Sequence, residues 1–553
     1  MSAGRDLLRL LGEAPFLDRL EAAAISGWSR GAVYAACRNL EEAGLVAPLP
    51  HASALIRQTQ RYHLTYAGLR RLADLEGEHP GDLLRSRPLT AHWRKLLLER
   101  LDGVGAIYRL TAAVAAGEWP LRFRWYRAAP MDAAVRLPDG RTFFVVRQGG
   151  TAERTAFAKR LWRLREGPRP GAYLLLVPDG VRLRHTARLM ARASAPAFLA
   201  LEDDAAVSDR DARVWRTASG SPLLSLTEVL SYVPDGGTWP GEEPLARATV
   251  PRDVRETALR AAPLWTLPSR LSPAEKRVLD LLSDWPWIAP AHLGGLLGIS
   301  AGRVSQLAGV LERAGLAARV SGRLVASDCG LTLLARRDRS AAGLARRRWS
   351  ARLLDPASPP GWRNVSGRRS RQLLRTLEHT TAVHRFAALL AGQARASALE
   401  LLQLDPPHRA SRYFRDQGVV RSVHPDGFGL LRDGERTWPF FLEWERRAVR
   451  PSTMADRLAP YLRYYASQRP ADDHGVRPAV LVVFDDELAA HHFLRVARAE
   501  MRSARVDLPL WVSHRGLIER EGPLGGAWSA PCATGVTWLE GRPAPSVPTL
   551  RTS

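Results

Sequence analysis

Lysine is nearly missing from this chain of 553 residues: it occurs only at Lys95, Lys159 and Lys276, so almost all positive charge is arginine. No Gly-Lys-Ser/Thr triplet exists, which excludes a phosphate-cradling P-loop. Cysteine is equally scarce. Cys37, Cys329 and Cys532 lie far apart, which excludes a disulfide framework and a cysteine-built zinc site. No apolar run approaches the ~20 residues that span a bilayer, and AYLLLVP (172–178) and AVLVVF (479–484) are strand-sized. The opening MSAGRDLLRLLGEAP carries acids inside its apolar stretch and no cleavage site, so no signal peptide is read and a cytoplasmic location is expected.

What is abundant is positive charge. Lys+Arg number 80 against 56 Asp+Glu, a formal net charge of +24. Such an excess fits a polyanionic partner, most simply double-stranded DNA, and with no spanning segment a membrane partner is not expected. The length exceeds one ordinary core and predicts two to four domains.

Laid on itself, the chain repeats. GWSRGAVYAACRNLEEAGL (27–45) matches GISAGRVSQLAGVLERAGL (298–316) without a gap, at an offset of 271. Each copy predicts a helix (18–26 and 290–297), a turn with a serine N-cap (Ser29, Ser300), and a second helix ended by Gly44 or Gly315. Val33, Cys37 and Leu40, matched by Val304, Ala308 and Leu311, form the inward stripe. Arg30, Tyr34 and Arg38 in one copy, and Arg303, Gln306 and Arg313 in the other, are left to face outward as candidate DNA contacts. A short two-strand segment and a closing helix follow each copy, the layout of a winged helix-turn-helix.

The repetition continues beyond these modules. LDGVGAIYRLTAAVAAG (101–117) aligns with LEHTTAVHRFAALLAG (377–392), and PMDAAVRLPDGRTFFVVRQGG (130–150) with HPDGFGLLRDGERTWPFFLEWERR (424–447). Helix, hairpin, helix and strand predict a small α/β domain with a mixed sheet. The expected fold is therefore a multidomain α/β and α+β chain, a tandem duplication of winged helix plus α/β domain. Its boundaries are 1–80 and 85–232 for the first pair and 271–340 and 373–545 for the second. A Pro/Gly-rich linker (233–270) joins the halves, and an arginine-rich linker (341–372) precedes the last domain. The stretch 336–375 holds twelve arginines, with Arg346, Arg347 and Arg348 running into Trp349. Arginine interleaved with tryptophan suits phosphate contact and base stacking. The plain alternative is a solvated tether whose arginines pair with nearby acids.

The chemistry concentrates in 423–465. Asp426 follows Pro425, a DG turn (433–434) predicts a hairpin, and an apolar strand ends in Glu443-Trp444-Glu445. Acids at the ends of both strands can converge where a divalent cation would serve phosphodiester chemistry. Glu443 and Glu445, two apart on a strand, share a face; edge glutamates that merely face water are the plain alternative. The first copy is an internal control: Asp132 takes the place of Asp426, but Val146 and Gln148 replace Glu443 and Glu445. No two-carboxylate site can form there, so the first α/β domain is read as non-catalytic. Tyr461, Tyr464 and Tyr465 are read as a packing face, His379 and His384 as helix-packing residues near the sheet, and His491-His492 as helix surface.

HTTAVHRFAALLAG, HPDGFGLLRDGERTWPFFLEWERR, DRLAPYLRYY and AVLVVF, preceded by a winged helix, resemble the replication-relaxation proteins of bacterial plasmids and integrative elements. That group is similar to relaxases built on a restriction-endonuclease-like PD-(D/E)XK fold. The resemblance implies a DNA-processing role with Asp426 and Glu443 as ligands of Mg²⁺ or Mn²⁺ and Glu445 at the lysine position of E-x-K. Relatives often carry a lysine one helix later, where this chain has Arg457, which can stabilise phosphate charge but is a very poor base. Three functions follow as expectations: a metal-dependent DNA nickase with site residues Asp426, Glu443, Glu445 and Arg457; a non-catalytic DNA-binding regulator of replication or transfer; or an adaptor whose winged helices bind other replication or transfer proteins.

Overall fold

The computed structural model describes residues 2–151, 153–220, 222–243, 245, 247–251, 258–445, 451–530, 533–536 and 538–539. Arg446 and Arg447, Cys532 and the end of the expected last domain (540–545) lie outside the described residues. The chain is a mixed α/β molecule whose described residues form five sheets. It divides into two compact units: 1–277 with 313–315 and 329–345, and 278–312 with 316–328 and 346–553. No helix among the described residues is long and apolar enough to cross a membrane.

Unit one begins with three helices, Ala3–Glu13, Arg19–Ser26 and Arg30–Glu42. Asp18 and Glu21 form a reciprocal capping box at the second, and Ser29 accepts from the Ala32 N–H at the third. Val33, Ala36, Cys37 and Leu40 are buried, which turns Arg30, Tyr34 and Arg38 outward. The strands Leu17–Asp18, Val46–His51 and Thr59–Leu64 make a small antiparallel sheet with 59–64 in the middle, and the helix Tyr66–Glu76 follows. A fully buried Arg61 ties this region together, donating to the Phe16 carbonyl, to Glu21 and to His51 Nδ1, each at 2.8 Å.

The second sheet of unit one has six strands in chain order: Arg122–Trp125, Ala133–Arg136, Thr142–Arg147, Ala172–Val177, Ala197–Leu201 and Arg216–Thr217. Successive pairings run antiparallel, antiparallel, parallel, parallel and antiparallel. Its inner strands are buried on both faces, so they read as unbroken apolar runs. Alternate residues enter two cores. Val135, Phe143 and Val145 join the helix Leu101–Ala115 on one face, while Ala134, Phe144 and Val146 join the helix Arg154–Glu166 on the other. Part of the Pro/Gly-rich stretch read as a linker is hydrogen-bonded along this sheet: Gly236 O accepts from Thr142 N–H, and Pro240 O from the Tyr126 hydroxyl.

Unit two holds the helix Pro290–Leu297, most of the helix Ala301–Arg313, and the antiparallel pair Ala317–Val320 and Arg323–Ala326. Ser321 and Gly322 at its tip both have positive φ (49° and 75°), as a type I′ turn requires. Val304, Leu307, Ala308 and Leu311 are buried, and Arg303, Gln306 and Arg313 are exposed. The arginine-rich stretch contains the helix Ala342–Trp349, with Arg346 and Arg347 exposed and Arg348 half-buried. It also adds Val365 and Leu353 to a small core with Trp287 and Val325.

The sheet of unit two has seven strands in chain order: Glu400–Asp405, Gly427–Asp433, Arg436–Glu445, Ala479–Phe484, Leu510–His514, Trp528–Ala530 and Ala533–Val536. Its first five pairings repeat the senses of the six-stranded sheet. The hairpin of the second and third strands turns at Gly434 (φ 55°), and Gly429 must lack a side chain because a Cβ there would lie 2.2 Å from the Phe440 ring. One feature has no counterpart in the six-stranded sheet. Between 405 and 427 the chain throws out a separate two-stranded ribbon, Arg412–Asp416 paired with Val419–Val423. Its tip, Gln417-Gly418, has positive φ at both residues (47° and 81°), again a type I′ turn.

Candidate functional site

The chain leaves the ribbon at Val423 and reaches Asp426 just before the sheet strand begins. The Asp426 N–H donates to the Leu442 carbonyl at 2.8 Å, which fixes its backbone beside the strand Arg436–Glu445. Its carboxylate Oδ2 then accepts from the Trp444 N–H at 2.9 Å and lies 3.0 Å from His379 Nε2 on the helix Leu377–Ala396. Glu443 and Glu445 are both partly exposed while Trp444 between them is buried, so the two glutamates share a face. The Tyr461 hydroxyl, from the helix Pro451–Tyr465, donates to Glu443 Oε1 at 2.5 Å. Burial, together with the neighbouring Asp426 carboxylate, pushes the Glu443 carboxyl up to about 8.

Glu445 is spent differently. It forms an ion pair with Arg457 on the same helix as Tyr461. The acids thus divide into a pair in electrostatic contact, Asp426 with Glu443, and a glutamate engaged by an arginine. Asp426 Oδ1 and Glu443 Oε2 accept no hydrogen bond from any described residue. Two carboxylates, each with one oxygen to offer and one charge too many between them, fit a hard divalent cation that keeps several waters. Among the described residues no group of three or more His, Cys, Asp or Glu is gathered for a metal.

The same backbone arrangement recurs in unit one with different side chains. Asp132 N–H donates to the Val145 carbonyl at 2.9 Å, and Arg147 N–H donates to Asp132 Oδ2 at 2.7 Å. These two bonds place Val146 at the position of Glu443 and Gln148 at that of Glu445, both buried. Gly103 aligns with His379, and a Cβ there would come within 2.9 Å of the Arg147 side chain. Asp132 is met instead by two guanidiniums, Arg160 at 2.6 Å and Arg339 at 2.7 Å. Burial opposes its charge, but these arginines and the Arg147 N–H hold its carboxyl well below the usual range. Arg147 in turn pairs with Glu202 and Asp338, and Asp338 also with Arg337.

His379 and Tyr461, packing residues by their sequence pattern, both reach the acids. Tyr461 is indeed buried, as are Tyr464 and Tyr465, yet its hydroxyl reaches Glu443. His384 packs edge-on to Trp285, and burial lowers it to about 3; His491 and His492 are exposed on a helix. The alignment of His379 with Gly103 was the available signal, since a side chain gained only in the acid-bearing copy is one the site can use. The other outward candidates stand apart from the acids in sequence: Arg30, Tyr34 and Arg38 are exposed, with Arg19 stacked over the Tyr34 ring at 5.0 Å, and Arg303 donates to Gln306 at 3.0 Å.

The fold defines a mixed α/β protein of several domains with an acidic corner on one sheet. Residues 329–480, which include that corner, match the family described as Replication-relaxation. Over this stretch the chain is similar to the replication-relaxation family. No curated protein and no solved structure matches the chain.

Proposed function

We propose that the chain is a DNA-binding protein of a plasmid or other mobile element whose C-terminal α/β domain nicks DNA with a divalent cation. The observation that carries this reading is the Asp426–Glu443 pair: backbone hydrogen bonds to Leu442 and Trp444 fix Asp426 beside Glu443 although burial and like charge both oppose the pairing. A site kept at such a cost to stability fits function better than packing. The same sheet position in unit one, where no such function is proposed, carries Val146 and arginine-neutralised Asp132.

Asp426 and Glu443 would hold Mg²⁺ or Mn²⁺, and the ion would supply Lewis-acid stabilisation of phosphate charge. The chain's own residues do the rest. His379 and the Trp444 N–H orient the Asp426 carboxylate, and Tyr461 orients Glu443. Arg457, half-exposed beside Glu445, supplies a positive charge to a phosphate, and Glu445 fixes where that arginine stands.

Two winged helix-turn-helix modules, 1–80 and 271–340, would grip duplex DNA through Arg30 and Arg38, and through Arg303 and Gln306. The helix, helix, hairpin order and the outward side chains support that assignment, as does the restriction-endonuclease-like reading of the two sheets by their repeated pairings. Arg346, Arg347 and Arg348 add phosphate contacts. The ribbon Arg412–Val423 offers a further one, with Tyr413, Arg415 and Val420 exposed along one face only a few residues before Asp426.

One observation favours a second reading, a non-catalytic regulator of replication or transfer. Glu445 and Arg457 satisfy each other where a lysine would serve catalysis. Supercoiled plasmid carrying the element's own DNA, incubated with the protein in Mg²⁺ or Mn²⁺, separates the two. The nickase reading predicts relaxed circles that vanish in Asp426→Ala and Glu443→Ala with DNA binding retained. Tight binding without any nicking by the wild type would establish the regulator.

A further inference from the structure

The site of unit one is charge-inverted rather than merely lost. Where unit two gathers carboxylates, unit one lines a cavity of about 20 Å³, room for one water-sized group, with four guanidiniums against the two carboxylates Asp132 and Asp338. Three of these arginines, Arg147, Arg337 and Arg339, are engaged by carboxylates in the pairs already described. Arg100 is the fourth. It lines the cavity from the foot of the helix Leu101–Ala115, yet no described residue accepts a hydrogen bond from its guanidinium or pairs with it. A guanidinium set among other cations without a carboxylate of its own is a costly arrangement unless an anion completes it. The electrostatics agree: burial and the nearby Arg339 lower Arg100 to about 9 although Asp132, already paired with Arg160 and Arg339, opposes it.

We infer that this cavity binds one phosphate-class oxyanion, an oxygen of which enters the cavity while Arg100 takes its charge. Arg100 and Arg339 both keep partial solvent exposure, so the group can arrive from outside. Planar guanidiniums suit a phosphate oxygen better than lysine would. The anion has two sources, free phosphate or a phosphate of the DNA backbone. The inference stands on unit one alone and does not depend on nicking in unit two.

The test is thermal unfolding of the full chain at 0–10 mM inorganic phosphate against chloride of equal ionic strength. At these concentrations the general salting effect of phosphate is negligible. The expected result is a saturable rise of a few degrees for the wild type, absent in Arg100→Met and partly kept in Arg100→Lys. No saturable rise in the wild type would overturn the inference, as would an equal rise in Arg100→Met. Should Arg100→Met fold poorly, calorimetric titration of phosphate into the wild type still decides, because absence of a saturable site refutes the proposal. DNA affinity measured with and without 5 mM phosphate then assigns the source: competition that disappears in Arg100→Met marks the backbone, and affinity that ignores phosphate marks the free ion.

Discussion

Glu443 is partly exposed and Asp132 buried, each at the acidic corner of its own sheet, and they should respond oppositely to substitution. Glu443 has only a hydroxyl donor and a second carboxylate nearby, so its charge destabilises the fold. Glu443→Gln keeps an acceptor for Tyr461 and removes that charge. In the absence of metal it should raise stability by roughly 1 kcal/mol or more at pH 7, and by more at pH 9, measured by urea unfolding in chelator. Asp132 neutralises Arg160 and Arg339, so Asp132→Ala leaves two guanidiniums unpaired and should cost about 3–5 kcal/mol. A destabilised Glu443→Gln would show that this carboxylate belongs to packing. At this scale the sequence was half legible. The replacement of Glu443 by Val146 could be read directly, because hairpin alignment is local. The pairing of Asp132 with Arg339 could not, since 207 residues separate them and only tertiary structure joins them.

Among elements, the ribbon Arg412–Val423 is the one whose signal was present but unread. Gln417-Gly418 sits between Tyr413-Phe414 and Val419-Val420, a two-residue turn flanked by aromatic and β-branched residues. Phe414 and Val423 are buried and root the ribbon, while Tyr413, Val419 and Val420 are exposed beyond it. If the ribbon touches DNA, Arg415→Ala should weaken binding across sequences. The slope of log affinity against log salt should also fall by about 1, the share of Arg415 on the face of Tyr413 and Val420, with unfolding temperature unchanged. An unaltered slope would remove the ribbon from the DNA surface. By contrast, the capped helices 19–26, 30–42 and 301–313 were legible to within a residue or two, because serine caps, terminal glycines and a buried stripe all act locally.

For the whole molecule, acid should weaken both units, through His384 in unit two and through His51 and His63 in unit one. His51 accepts from Arg61 at Nδ1 and faces Asp102 through Nε2, so a second ring proton would point at a guanidinium. Burial lowers His51 to about 4 and His63 to about 3. For a histidine depressed in this way the unfolded chain binds the proton more tightly. Stability is therefore full above about pH 6.5 and falls as the pH drops toward 4, by about 3 kcal/mol for His51 alone. Asp102, Asp132 and Asp338, held below their ordinary range despite burial, extend the loss below about pH 4. The urea midpoint should decline between pH 7 and pH 5, and His51→Gln should flatten that decline; an unchanged slope in the variant would rule out His51 as its source. The order of helices and strands was legible over this whole span because each element carries a periodic apolar pattern. The hydrogen bonds of Gly236 and Pro240 to the sheet were not, because a Pro/Gly run carries no periodic signal.

The central claim is that Asp426 and Glu443 together hold a divalent cation. Its most direct measurement is a Mn²⁺ titration of the full chain followed by electron paramagnetic resonance, with Asp426→Asn and Glu443→Gln alongside. One ion per chain is expected in the wild type and none in either folded variant. Mn²⁺ bound equally by all three proteins, or by none, would contradict it.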